Sequence, residues 1–393
     1  MKKIILLHAL TAISATLSAQ SVISTAPVKQ AGNIAAVLST KKMTAFKPEL
    51  HGFKFANTFT SAADLGGING LRLGGLCGGM VYSSLDYFNR RVTIPSQSFR
   101  PANRTTLQSY IYNRQLNSLV GNADKWTELI LNPFGSRTAE FFNWGLQGNN
   151  GGRIQELKES IDKGNPAPLG LFIAGDGGFR AHHQVLAIGY DMGRYKGDLG
   201  EYKEDFKIFI YDPNYPNSTM TLKADPAHTT YYYEEDKSKK WMTYFVDKKY
   251  AAANPPVIQQ TVLPNDGLVR ELLVEIATGG DDLRGGNDNA GITVNYTDGS
   301  SETYPNINKG ARWIDNYCET VVITLKKPAA VNQLKSIVLK TSFGGGIGGD
   351  NWNVDGIYIV ARSGNSETSL YSQRGTPLVR FDGNNKPLTI SFR

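Results

Sequence analysis

Glycines flank a thiol in GGLCGGMVYSSLDYF, and an amphipathic run begins directly after it, which sets Cys77 at the start of a helix. A sulfur so placed is a candidate nucleophile, because the thiolate is the reactive form and a helix N-terminus favours negative charge. The helix end contributes at most about 2 kcal/mol, short of what full activation of a thiol requires, so a cationic partner must supply the rest. Histidine is the usual partner. Beyond the first 19 residues the candidates are His51, His182, His183 and His228, of which His182 and His183 open an apolar strand in AHHQVLAIGY. The next strand ends in IFIYDPNYPN, where Asp212 and Asn214 each offer a side-chain oxygen to orient an imidazole N–H.

These residues need helices followed by a sheet to hold them. Helix signals run over Gly78–Asn89, Thr105–Val120 and Arg153–Lys163, the last closed by Gly164 and Pro166. Short apolar runs at Leu169–Ala174, Gln184–Tyr190 and Lys207–Tyr211 predict strands, so this part is an α+β domain with helices first and an antiparallel sheet after. The charged stretch Asp191–Asp205 reads as an extended hairpin or a loop beside the cleft, and Tyr231–Tyr233 as an edge strand or a loop.

Around 251–264 the run AAANPPVIQQTVLP carries three prolines and reads as a linker. Beyond it the pattern alternates: Leu272, Val274, Ile276; Ile292, Val294, Tyr296; Val321, Ile323, Leu325; Ile357, Ile359; Leu388, Ile390, Phe392. Asp298-Gly299 and Asp382-Gly383 supply turns between such runs. An all-β sandwich or jelly roll over 265–393 follows. The expected organisation is a signal peptide at 1–19, an N-terminal segment at 20–50, a first domain at 51–250, the linker and the sandwich.

The signal-peptide reading rests on Lys2 and Lys3, an apolar stretch from Ile4 to about Ala15, and small residues at Ser18 and Ala19. It predicts a secreted or periplasmic protein without a transmembrane segment, since no later stretch approaches the roughly 20 apolar residues of a spanning helix. In 393 residues, 42 Lys and Arg stand against 35 Asp and Glu, a mild excess that argues against a nucleic-acid partner. Two cysteines are too few for a disulfide scaffold. Cys318, in NYCETVV, has no basic partner in sequence and reads as an inert thiol.

GLCGGM at a helix start, then LGLF, HQVLAIGY and IYDPNYP, resembles the papain-like cysteine peptidase superfamily, in particular a secreted bacterial, bacteriocin-processing branch. The resemblance spans about residues 51–250 and implies a cysteine hydrolase, most simply a peptidase acting on a protein or peptide through a thioester. It implies Cys77 as nucleophile, His183 rather than His182 as general base and acid, and Asp212 as the orienting residue, with Asn214 as the alternative. Relatives usually carry an oxyanion-stabilising glutamine about six residues before the cysteine; here that position is Leu71, and Asn69 is the nearest amide. The alternative is an inactive scaffold that serves as a secreted binding protein.

VEIATGGDDLRGG, NKGARW and GGDNWNVDGI resemble accessory sandwiches of secreted bacterial proteins, with a PLAT-like character that implies binding of a glycan, lipid or protein. No organic cofactor is expected. Asp281, Asp282, Asp288, Asp350 and Asp355 are candidate calcium ligands from loops. Trp313 and Trp352 are expected in the core, and FGGGIGGDN as a flexible loop. Neither glycine-rich stretch has the context of a nucleotide-binding motif, and no Cys/His cluster has zinc spacing.

Overall fold

Glycine at 78 and 79 lets the first turn of a helix press against two neighbours at once. A Cβ on Gly78 would stand 1.7 Å from the Gln184 Oε1, and one on Gly79 would stand 2.1 Å from the Ile111 carbonyl. The helix is α2 (Cys77–Arg90), reached after β1 (Lys41–Met43), α1 (Pro48–His51) and the paired strands β2 (Ser61–Ala63) and β3 (Leu71–Leu73). It packs on α3 (Thr106–Gly121), and α4 (Ala123–Ile130), α5 (Thr138–Trp144) and α6 (Arg153–Ile161) follow. The computed structural model describes residues 40–392 apart from 60, 64–70, 74, 103, 174–181, 260–262, 345–348, 365, 384 and 385. The leader at 1–19, most of the 20–50 segment, Asn69 and the middle of the FGGGIGGDN loop lie outside the described residues.

The helices are followed by an antiparallel sheet of β4 (Ala167–Phe172), β5 (His183–Asp191), β6 (Lys207–Tyr211), β7 (Thr219–Asp225), β8 (Thr230–Tyr233), β9 (Lys240–Trp241) and β10 (Thr243–Val246). The strand order is β10-β4-β5-β6-β7-β8-β9, with β1 added on β5. Trp241 pairs with Tyr231 at one end of this order and Thr243 with Phe172 at the other, so the single residue Met242 joins the two edges. The sheet therefore curls back on itself like a barrel, and the Met242 N–H seals the seam on the Phe172 carbonyl at 2.8 Å. Its apolar interior includes Leu169, Leu171, Val185, Ala187, Ile208, Ile210 and the buried Tyr231 and Tyr233. On β5 and β6, Leu186, Ile188 and Tyr211 point the other way and pack on Val81, Tyr82 and Leu85 of α2.

Two local expectations are corrected here. Strand β8 is paired on both sides, by β7 and β9, so Tyr231–Tyr233 is neither an edge nor a loop. The 191–205 stretch leaves the far end of β5, a nine-residue strand that begins at His183. A strand of that length spans roughly 30 Å, so this loop lies away from the cleft, tied to α5–α6 residues by Gly148 N–H to Gly197 O at 2.8 Å.

Residues 251–256 are held along α2: the Ala253 N–H donates to Asp86 at 2.9 Å, Arg114 donates to the Ala251 carbonyl at 2.9 Å, and Tyr87 to the Pro256 carbonyl at 2.7 Å. Beyond them stand β11 (Val269–Thr278), β12 (Ala290–Tyr296), β13 (Ser301–Tyr304), β14 (Cys318–Ala329), β15 (Leu334–Thr341), β16 (Trp352–Ser363), β17 (Ser366–Phe381) and β18 (Leu388–Ser391). They form two four-stranded antiparallel sheets, β14-β11-β16-β17 and β13-β12-β15-β18, around one shared core. Leu272, Val274, Ile276, Ile292, Val294, Ile323, Ile357, Ile359 and Ile390 all enter that core, with Trp313 and Trp352 in edge contact at 5.6 Å. The sandwich meets the first part through Arg100, which pairs with Glu275 at 2.9 Å, and Phe99, whose ring lies 3.5 Å below the Arg362 guanidinium. Among the described residues, no helix is long and apolar enough to cross a membrane.

Because the α2 start has no room for a methyl group, Gly78→Ala is expected to lower stability by about 1–3 kcal/mol, the usual range for overpacking. Urea denaturation measures it; an unchanged midpoint would mean that α2 can move off β5 without penalty.

Candidate functional site

The open end of the barrel is where the chemistry-bearing side chains meet. Cys77 begins α2, His183 begins β5, Asp212 follows β6 and Tyr233 ends β8, and all four line a cleft of about 510 Å³. Packing α2 on β5 brings the first residue of each to the same end of the sheet.

His183 is 9% exposed and Asp212 1%. The Nε2 of His183 stands 2.8 Å from the Asp212 Oδ1. Oδ1 also accepts the Asn214 backbone N–H at 2.7 Å, and Oδ2 accepts the Tyr233 hydroxyl at 2.7 Å. The Asn214 side-chain nitrogen lies 3.3 Å from the same ring nitrogen. With Nε2 committed to Asp212, Nδ1 is the nitrogen left for Cys77, whose thiol lines the same cleft. The structure thus brings Cys77, His183, Asp212 and Asn214 together, with Asp212 as the closer partner of the imidazole.

Burial disfavours charge on His183, but the Asp212 carboxylate, through charge and hydrogen bond, and the neighbouring Cys77 outweigh it and push its pKa up to about 10. Burial likewise works against the Asp212 carboxylate, and His183, the Asn214 N–H and Tyr233 together hold its pKa below the ordinary value. A raised histidine pKa means that the histidine's contribution to stability is complete below about pH 6.5 and fades as the pH climbs through the folded value, while the lowered Asp212 pKa means that the carboxylate's contribution is lost as the pH falls through its own folded value. His182 has the opposite fate. It stacks between Phe172 at 4.0 Å and Trp126 at 5.6 Å, accepts the Ile173 N–H at 3.3 Å, and burial drops its pKa to about 4. It is a neutral wall of the cleft beside Leu119, Ile173 and Trp241.

Two amide side chains in the site escaped the sequence reading. Gln115, on α3, accepts the Gly79 N–H at 2.8 Å and donates to Gln184 at 3.3 Å, which pins the start of α2 to β5. Asn57, in the loop after α1, accepts the Leu76 N–H at 2.8 Å and lines the cleft with Cys77. Neither belongs to a motif, because each acts from a different part of the chain.

Cys77 and Cys318 are not joined in a disulfide. Cys318 has a basic neighbour after all: the Arg100 guanidinium stands 3.9 Å from its sulfur, while burial pushes the thiol pKa up. Three of the five acids considered for calcium pair with arginines. Asp350 pairs with Arg284 at 2.9 Å, Asp281 with Arg380 at 2.9 Å, and Asp282 with Arg312. Asp355 packs against Gly279, and Asp288 donates its N–H to Gly285 in a turn. Among the described residues, no three His, Cys, Asp or Glu side chains gather as a metal-holding group.

No family model and no curated protein matches the chain. Among solved structures it is similar to the alpha-toxin of Clostridium perfringens (17% identity, 35% of each chain, TM-score 0.23). It is also similar to that of Clostridium absonum (16%, 35% of each, TM-score 0.26). A LOX variant matches at 16% identity over 31% of this chain and 16% of that one, TM-score 0.21. The matched part thus spans about a third of the toxins' length. These neighbours are toxins and a LOX, not papain-like peptidases, and the membership in that superfamily drawn from the motifs is corrected accordingly.

Asp212→Asn is expected to move the His183 titration down from about 10 toward the ordinary histidine range. Imidazole NMR against pH reads it directly; a titration that stays put would show that Asp212 is not what holds the proton.

Proposed function

We propose that the protein is a thiol hydrolase that cleaves amide bonds through a Cys77 thioester. The observation that carries this reading is that the Cys77 thiol lines one cleft with the hydrogen-bonded His183–Asp212 pair. The thiolate sulfur attacks the carbonyl carbon, forming a C–S bond and a tetrahedral oxyanion. On collapse the C–N bond breaks and the His183 imidazolium gives its proton to the leaving amine. Water then attacks the thioester with His183 as base, releasing the carboxylic acid and restoring the thiol.

Substrates compatible with this cleft are proteins, peptides and peptide cross-links. The Leu119, Trp126, Ile173, His182 and Trp241 wall suits an apolar side chain next to the scissile bond. The reading includes export, on the pattern of residues 1–19.

Cys77→Ala is expected to abolish turnover of a peptide library while leaving binding intact. In a Cys318→Ser background, His183→Ala is expected to slow iodoacetamide alkylation of Cys77 at pH 6.5 by about 100-fold or more, the usual scale of acid–base assistance. Equal alkylation rates with and without the histidine would argue for a scaffold whose thiol does no chemistry.

A further inference from the structure

We propose that the Asn57 side-chain amide, together with the Cys77 backbone N–H, binds the oxyanion of the tetrahedral intermediate. The assignment rests on the thiol-hydrolase reading, which requires donors beside the sulfur where negative charge develops.

The orientation of the Asn57 amide follows from its neighbours. The Leu76 N–H donates to it at 2.8 Å, and only an oxygen can accept, so Oδ1 takes the Leu76 N–H and Nδ2 lies on the Gly75 side. Gly75 makes room for that amide: it sits at φ +136, and a Cβ there would lie 2.6 Å from Nδ2 and 2.9 Å from Oδ1. The backbone of Asn57 is fixed as well, its N–H donating at 2.9 Å to the carbonyl of Pro213, the residue after Asp212. One residue thus spans from the acid end of the triad to the nucleophile end.

Cys77 supplies the second donor. In the first turn of α2 the Met80 N–H bonds the Leu76 carbonyl, Gly79 bonds Gln115 and Leu76 bonds Asn57. The Cys77 N–H precedes the point at which an intrahelical carbonyl could accept it. Asn57, Gly75 and Cys77 face the same cleft as His183. A carbonyl attacked by the sulfur would place its oxygen between this N–H and Nδ2.

The test compares Asn57→Ala and Asn57→Asp with the wild-type residue in the Cys318→Ser chain. Asn57→Asp keeps an acceptor for the Leu76 N–H and removes the donor. Two rates are read on Cys77: acylation by p-nitrophenyl acetate, which passes through an oxyanion, and alkylation by iodoacetamide, which does not. Thiolate content and local disorder act on both rates and cancel in their ratio. The expected result is a fall in the acylation-to-alkylation ratio of about 100- to 1,000-fold in both variants. A ratio unchanged in Asn57→Asp overturns the donor role and leaves Asn57 a buttress for Leu76, with the hydrolase reading intact. Rapid alkylation of the wild type with no acylation at all overturns the hydrolase reading, and the oxyanion assignment with it.

Discussion

The site depends on one contact: the first turn of α2 lying on the Gln184 side chain of β5, with nothing but hydrogen at position 78. The Gln184 amide fills the space that any larger residue would need, and it is held there by Gln115 and by the Ser118 hydroxyl at 3.0 Å. Gln184 directly follows His183, so the group that sets the height of the helix is attached to the group that must meet its first residue. A displacement of about 1 Å between reacting groups is enough to cost a large part of the rate in thiol chemistry of this kind. The glycines around Cys77 are therefore positional: Gly78 and Gly79 for approach, Gly75 for the Asn57 amide.

A second constraint follows from putting a charged pair at the mouth of an apolar barrel. Taking His183 and Asp212 out of water is unfavourable unless their hydrogen-bonding capacity is filled, and removing one member of such a pair typically costs about 3–5 kcal/mol. The surroundings meet this demand. Asp212 receives the imidazole, a backbone N–H and the Tyr233 hydroxyl, and Tyr233 comes from two strands away because the sheet curls. The neighbouring His182 stays neutral because burial between two aromatic rings lowers its pKa. Adjacent histidines thus hold opposite charge states for reasons that lie entirely in their surroundings.

Much of this was legible in the chain. The helix at Cys77 and the strands at His183 and Asp212 are marked by local composition, and the alternation from Leu272 to Ile390 identifies the faces that make the sandwich core. What was illegible is whatever depends on pairing at a distance. Three consecutive tyrosines hide the alternation that buries Tyr231 and Tyr233, and barrel closure at Met242 leaves no periodic trace. The 191–205 loop was misplaced because a strand's two ends serve opposite sides of a sheet. Arg100 reaches Cys318 across 218 positions, and Asn57 reaches Leu76 from a loop that carries no motif. The family likeness was read from short motifs that the comparisons with solved structures do not uphold.

The seam at Met242 has a consequence for when the site comes into being. Residues 243–246 pair with residues 169–172, so the wall that carries Trp241 is fixed only after the chain has been made more than 70 residues beyond β4. Contacts of such long separation form late, since the closure of the intervening loop must precede them. Cys77 emerges early in synthesis, but the sheet that aligns its histidine and encloses its cleft is completed by the last strands of the first half. On the proposed reading, the order of folding therefore acts as a timer: a nascent or partly folded chain carries the thiol before the histidine and the cleft wall are set beside it.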